Sequence, residues 1–264
     1  MLDQSRLNPI DRFIRRFNAP AHLLAALALY ALAACALGLA LIPALWVVKT
    51  LRDAAAPLPA WQHWPLLGLA GGLAFFTFGF GLIVVVPVFN FLLPTRIKPF
   101  HGTYYTIAAV PWYLHNGLFY LVRYTFLPFL TFTPFGIWFL KAMGMKIGHG
   151  TLINSEYLSD PRLLTLGENV VVGGSVRIFA HYGGGGHLII APVVIGDRVT
   201  LGLGCTVMGD VVIGPGSTVL PHSVLLPGSR VGEKEIWGGV PARHISREDL
   251  DHFRQGIHGV QAHG

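Results

Sequence analysis

The chain has 264 residues, of which 53% are hydrophobic and only 12% charged, with 19 Lys and Arg against 13 Asp and Glu for a formal charge of +6. That balance excludes an intrinsically disordered chain, and the small, dispersed basic excess argues against a nucleic-acid partner. Two distant cysteines, Cys35 and Cys205, exclude a disulfide scaffold.

The charge gaps come first along the chain. No Lys, Arg, Asp or Glu occurs between Phe17 and Val48, or between Ala54 and Thr95. Roughly 20 apolar residues cross the hydrocarbon layer of a bilayer, so residues 21–48 and 66–93 are expected to be two transmembrane helices. Arg6, Arg12, Arg15 and Arg16 before the first run imitate a signal peptide, and Leu32-Ala33-Ala34-Cys35 imitates a lipoprotein cleavage box. The apolar run continues to Val48 without a polar break, whereas a cleaved leader would be followed by soluble chain. Cys35 is therefore read as a helix-packing or lipid-facing residue.

Residues 100–139 hold 14 aromatics, together with Pro111, Pro128, Pro134 and Arg123. Trp and Tyr favour the headgroup level and prolines break long helices, so short interfacial helices are expected here, with a third span over 107–126 as the alternative. Two spans return the second half to the side of the N-terminus. Lys49 and Arg52 lie between the spans, and Arg96, Lys98, Lys141 and Lys146 follow them. This bias favours a multi-pass protein of the inner (cytoplasmic) membrane with its second half on the cytoplasmic side.

From Ile195 an apolar residue recurs every six positions: Ile195, Leu201, Val207, Ile213, Val219, Leu225, Val231 and then Trp237. Glycine follows five of them, at Gly196, Gly202, Gly214, Gly232 and Gly238, and small or β-branched residues stand four positions on, from Val199 to Ser229. Ile147, Ile153, Leu166, Val172 and Ile178 keep the period upstream. Neither a helix nor a flat sheet repeats every six residues. A triangular coil does, with one short strand and one corner per hexad, the apolar residue inward and successive coils stacked. Glycine after the apolar residue is expected to supply a corner conformation that side chains oppose, which accounts for a total of 32 glycines.

The frame breaks twice. Ile153 to Leu166 is 13 residues, one more than two hexads, and Ile178 to Ile195 is 17. The second break extrudes Ala180-His181-Tyr182-Gly183-Gly184-Gly185-Gly186-His187-Leu188. A regular solenoid that interrupts itself with two histidines and four glycines is expected to be building a site.

Residues 144–245 resemble the left-handed β-helix of hexapeptide-repeat acyltransferases. Gly238-Gly239-Val240-Pro241-Ala242-Arg243-His244-Ile245 is similar to that family's closing Gly-Asn-Pro-Ala-Arg signature, with Val240 at the Asn position. Ala191-Pro192-Val193-Val194-Ile195-Gly196-Asp197 is similar to the segment after the family's catalytic-His loop. More narrowly, residues 144–169 and the aromatic chain before them resemble the membrane-embedded terminal domain of poly-lysine-type non-ribosomal peptide synthetases. The expected organisation is an α-helical membrane region at 1–143, an all-β left-handed parallel β-helix at 144–245 and a tail at 246–264.

The resemblance implies acyl transfer from a thioester to a hydroxyl or amine. Such a reaction needs a general base for the acceptor's proton and donors for the oxyanion, and imidazole, with an unperturbed pKa of about 6.5, suits the base. His181 lies where the family's catalytic histidine sits, and His187 is the second candidate. Glu156 and Asp160, in the first frame break, are candidates for orienting the base. The resemblance also implies acetyl-CoA as co-substrate, with no tightly bound cofactor, near Gly202 and Gly204 and the basic Arg230, Lys234 and Arg243. Relatives often carry a lysine where this chain reads Val224-Leu225-Leu226-Pro227, so a thioester held on a carrier protein stays open. A homotrimer is implied, acting beside the lipid bilayer on a small-molecule, glycan, lipid-linked or peptide acceptor. A zinc hydratase on the same prism would need ligands near Leu203 and Met208, which cannot ligate zinc, so no metal site is expected. A non-catalytic membrane scaffold is the remaining alternative.

Overall fold

The computed structural model describes residues 18–246 and 248–249. The four N-terminal arginines and most of the tail expected at 246–264 lie outside the described residues. The chain divides into two compact units, one holding the long helices (up to 97, with 102–130 and 138–143), the other holding 98–101, 131–137 and the chain from 144.

In the helical unit, α1 spans Asn18–Ala55 and α2 spans Ala60–Leu92. Both exceed the spans expected from sequence at one or both ends. Each contains 33 residues long and apolar enough to cross a membrane, about 50 Å at 1.5 Å per residue. Most of their large side chains face outward, among them Leu27, Ile42, Trp46, Phe76 and Phe91. The buried seam is made of small residues. Ala36, Ala40 and Ala44 are buried one turn apart, and a Cβ on Gly81 of α2 would stand 3.0 Å from the Ala40 carbonyl oxygen. Small residues let two apolar helices approach in this way. The helix α3 covers Val110–Arg123. Its 14 residues reach only about 21 Å, short of the roughly 30 Å hydrocarbon layer, so residues 107–126 do not form a third helix of spanning length. A nine-residue helix, α4, follows at Pro134–Ala142.

The second unit is the three-sided coil expected from the hexads. Its strands stack into sheets of five, six and four strands. The register is that of the repeat: Ile195 lies over Leu166 and under Ile213, which pairs in turn with Val231. Leu201 pairs with Val172 and Val219, and Val207 with Ile178 and Leu225. All seven aliphatic hexad residues from Ile195 to Val231 are at most 4% exposed. Val199, Cys205, Val211, Ser217 and Ser223, four positions on, are buried with them.

The glycines after the hexad residue are there for a different reason from the one expected. None of Gly196, Gly202, Gly214, Gly232 and Gly238 has a positive φ. A side chain there would collide with the next coil: a Cβ on Gly202 would stand 2.6 Å from the Pro221 nitrogen, and one on Gly214 2.7 Å from the Gly232 carbonyl carbon. The left-handed conformation falls instead two residues later, at Asn169, Arg198, Asp210, His222 and Lys234 and at Gly204, Gly216 and Gly228.

Trp237 ends the apolar ladder, half-buried, and Ala242–Ile245 returns antiparallel to Ile236–Gly239 to cover the last edge. The Glu235 carboxylate accepts hydrogen bonds from Trp237 Nε1 (2.8 Å) and the Gly232 amide (2.7 Å). These bonds, the Trp237 one foremost, hold its carboxyl below the ordinary glutamate range. A carboxyl with a depressed folded-state pKa stabilises fully above its unfolded value and loses that contribution as pH falls through the folded one. The closing coil is therefore expected to loosen in acid, below about pH 4.5. Acid unfolding of Glu235→Gln should lack that part of the pH dependence; identical acid branches for the two proteins would contradict this.

Candidate active site

Both frame breaks fall at one corner of the prism, in consecutive coils. Leu158 pairs with Ile178 and Ser159 with Phe179. Ile153 to Leu158 is one residue short of a hexad and Leu158 to Leu166 is two over; after Ser159 the excess begins at Asp160, which takes a left-handed conformation (φ 56°) and leads into a single 3-10 turn at Pro161–Leu163. After Phe179 the second break leaves the coil as a β-hairpin, His181–Gly184 paired antiparallel with His187–Ile190. Gly185 and Gly186 form its two-residue turn, both with positive φ (56° and 80°), the conformation that tight hairpins require.

Asp160 and His181 meet at this corner. His181 Nδ1 lies 2.6 Å from Asp160 Oδ2, with the Asp160 side chain fully buried and the His181 side chain 24% exposed. A carboxylate can only accept, so Nδ1 carries the hydrogen and donates it. In the neutral ring the lone pair then sits on Nε2, and the side chain still reaches solvent. Such an arrangement can orient a general base. A cysteine nucleophile has no counterpart here: Cys205 is fully buried, and burial pushes its thiol up to about 12.

The other sequence candidates stand apart from this pair. His187 is at the turn end of the hairpin, opposite Gly184, while His181 is opposite Ile190. Its Nδ1 donates to the Gly185 carbonyl (3.1 Å), and its ring meets that of His101 edge-on at 5.7 Å. Glu156 is half-exposed, and its carbonyl caps Leu158 (2.8 Å). The Gly202 and Gly204 amides are used between coils, donating to Val219 O (2.8 Å) and Gly174 O (2.9 Å), so neither is free for an oxyanion. Arg230 is ion-paired to Asp210 (2.7 Å). Lys234 is exposed at the next corner and Arg243 on the closing strand. Among the described residues, no three His, Cys, Asp or Glu side chains converge as a metal site. Sequence reasoning missed His101, beside His187, and the two outward residues that precede His181, Arg177 and Phe179. The signal for these two was present, since Ile178 and Ala180 alternate with them as apolar or small residues.

No family profile matches the chain. The delta-poly-L-ornithine synthetase of Acinetobacter baumannii is 30% identical over 111 residues, which cover 42% of this chain and 8% of that protein. The chain thus spans less than a tenth of that relative's length. Among solved structures, a hexapeptide-repeat acetyltransferase of Vibrio cholerae, in complex with acetyl coenzyme A, is 28% identical over 39% of this chain and 60% of its own, with a TM-score of 0.37. A maltose O-acetyltransferase of Clostridium difficile is 23% identical over 40% and 59%, with a TM-score of 0.36. A serine acetyltransferase of Neisseria gonorrhoeae is 15% identical over 78% and 67%, with a TM-score of 0.39. In sequence the chain thus resembles a hexapeptide-repeat acetyltransferase and part of a delta-poly-L-ornithine synthetase.

Proposed function

We propose that this protein is a membrane-anchored acyltransferase that moves an acyl group, acetyl in the simplest case, from a thioester such as acetyl-CoA to a hydroxyl or amine. The observation that carries the reading is the Asp160–His181 pair at 2.6 Å, built where the hexad frame breaks. His181 Nε2 takes the acceptor's proton as its oxygen or nitrogen attacks the thioester carbonyl. The tetrahedral intermediate then collapses, the C–S bond breaks, and the imidazolium returns the proton to the departing sulfur. Asp160 holds the ring in the tautomer this requires and stabilises its transient positive charge.

The handedness, the homotrimer and the donor's path follow the family resemblance, and the membrane topology follows the apolar runs and the Lys and Arg bias. The coil winds left-handed, and three copies assemble as a homotrimer. The helices α1 and α2 cross the inner membrane, with α3 and α4 at its interface, and the coil faces the cytoplasm, where acyl-CoA is available. Gly202, Gly204, Arg230, Lys234 and Arg243 mark the donor's path along the coils.

Likeness to a poly-ornithine synthetase favours a second reading, in which the thioester is carried on a protein and the product is an amide bond. Purified full-length protein in detergent should release thiol from acetyl-CoA when a membrane extract supplies the acceptor, and the activity should sediment with membranes before extraction. Release that is independent of acceptor, or absent, would count against acyl transfer. Turnover with a carrier-bound thioester but not with acetyl-CoA would select the second reading.

A further inference from the structure

Two outward side chains of the strand Arg177–Phe179 precede the base in the chain. Ile178 and Ala180 are fully buried; Arg177 and Phe179 face outward from the strand Arg177–Phe179, and after a bend at Ala180 the part-exposed His181 opens the hairpin. The Phe179 and His181 rings are 6.0 Å apart. At the far end, the Arg177 guanidinium lies over the Tyr157 ring of the preceding coil, 5.3 Å from its centroid. On the following coil the partner of Arg177 is Thr206.

Arg230 has a carboxylate partner. Arg177 enters no ion pair and no side-chain hydrogen bond among the described residues. A guanidinium over an aromatic face can still offer an N–H edge for two parallel bonds to a planar or tetrahedral anion. Four residues of chain separate Arg177 from His181, a reach of at most about 13 Å.

We propose that Arg177, held over Tyr157 and paired across the coils with Thr206, is an anion subsite that binds a carboxylate or phosphate of the acyl acceptor, within about 13 Å of His181. Phe179 lies under the stretch between the two. The ligand's role as acceptor rests on the acyl-transfer reading; the anion site itself does not. An acceptor bearing an acid group at this reach is selected over its neutral amide or dephosphorylated counterpart.

The test is a calorimetric titration of inorganic pyrophosphate into the full-length protein in detergent. Arg177→Gln should weaken binding about tenfold or more, Arg177→Lys should recover part of it, and His181→Ala should bind as the wild type does. Equal affinity in wild type and Arg177→Gln, or no binding to either, overturns the proposal. Competition identifies the source of the anion. Pyrophosphate that stays bound under saturating coenzyme A marks an acceptor subsite; displacement by coenzyme A overturns the acceptor assignment and gives the anion site to the donor's phosphates. A wild type that binds pyrophosphate through Arg177 but transfers no acyl group would sink the acyl-transfer reading alone.

Discussion

His181→Ala is expected to lower acyl transfer by about 10²–10⁴-fold, the usual cost of removing a positioned general base. The residue stands on the hairpin outside the stacked hexads, and its ring is partly exposed, so the prism should stay folded, with a melting temperature lowered by the loss of a donor to the buried Asp160 carboxylate. His187→Ala should change the rate little. Its Nδ1 is bound to the turn carbonyl of Gly185, and it stands opposite Gly184 at the tip, three register steps from the pair of His181 with Ile190. Thiol release from acetyl-CoA by the three proteins, side by side, decides the assignment. Full activity in His181→Ala with loss in His187→Ala would move the base to the hairpin tip. Full activity in both would remove the hairpin from the chemistry.

The hexad period made the prism legible because one structural need, an aliphatic side chain at every level of a narrow core, repeats without exception from Ile195 to Val231. The two breaks in period were equally legible as the places where the regular structure yields to something else. The pairing of Asp160 rather than Glu156 with His181 was harder to see. It depends on which residue of the irregular coil points inward, and Leu158 does, in register with Ile178. That choice carries Ser159 beside Phe179 and delivers Asp160 to the corner where the hairpin begins. Counting hexads places both breaks before a strand of the same sheet, at Leu164–Leu166 and Val193–Ile195, so their meeting could have been read from the period alone.

The hairpin was less visible, since four consecutive glycines at 183–186 do not say which two will form the turn. The distance between His187 and the base followed from that register. The glycines after each hexad residue were visible, but their physical reason was not. A period shows that a side chain is excluded, while only coordinates show that a neighbouring backbone 2.6 Å from the missing Cβ of Gly202 excludes it.

Asp160→Asn is the sharper test of the proposed mechanism, because it alters the electronics of the pair and almost nothing else. Asparagine has the same size and tolerates the left-handed backbone (φ 56°) that Asp160 occupies, whereas alanine would combine a cavity with backbone strain. The carboxylate compels His181 to carry its hydrogen on Nδ1. An amide can donate to Nδ1 instead, which stabilises the opposite tautomer and leaves Nε2 protonated, with no lone pair for the acceptor's proton. Activity should therefore fall by about 10²–10⁴-fold while the fold persists. Groups that act as one unit are not additive, so Asp160→Asn combined with His181→Ala should fall no further than His181→Ala alone. Multiplying losses in the double variant would mean that Asp160 acts on the reaction by some route other than the imidazole. Near-wild-type turnover in Asp160→Asn would reduce the 2.6 Å contact to a structural bond, and the hairpin would then present His181 without its help.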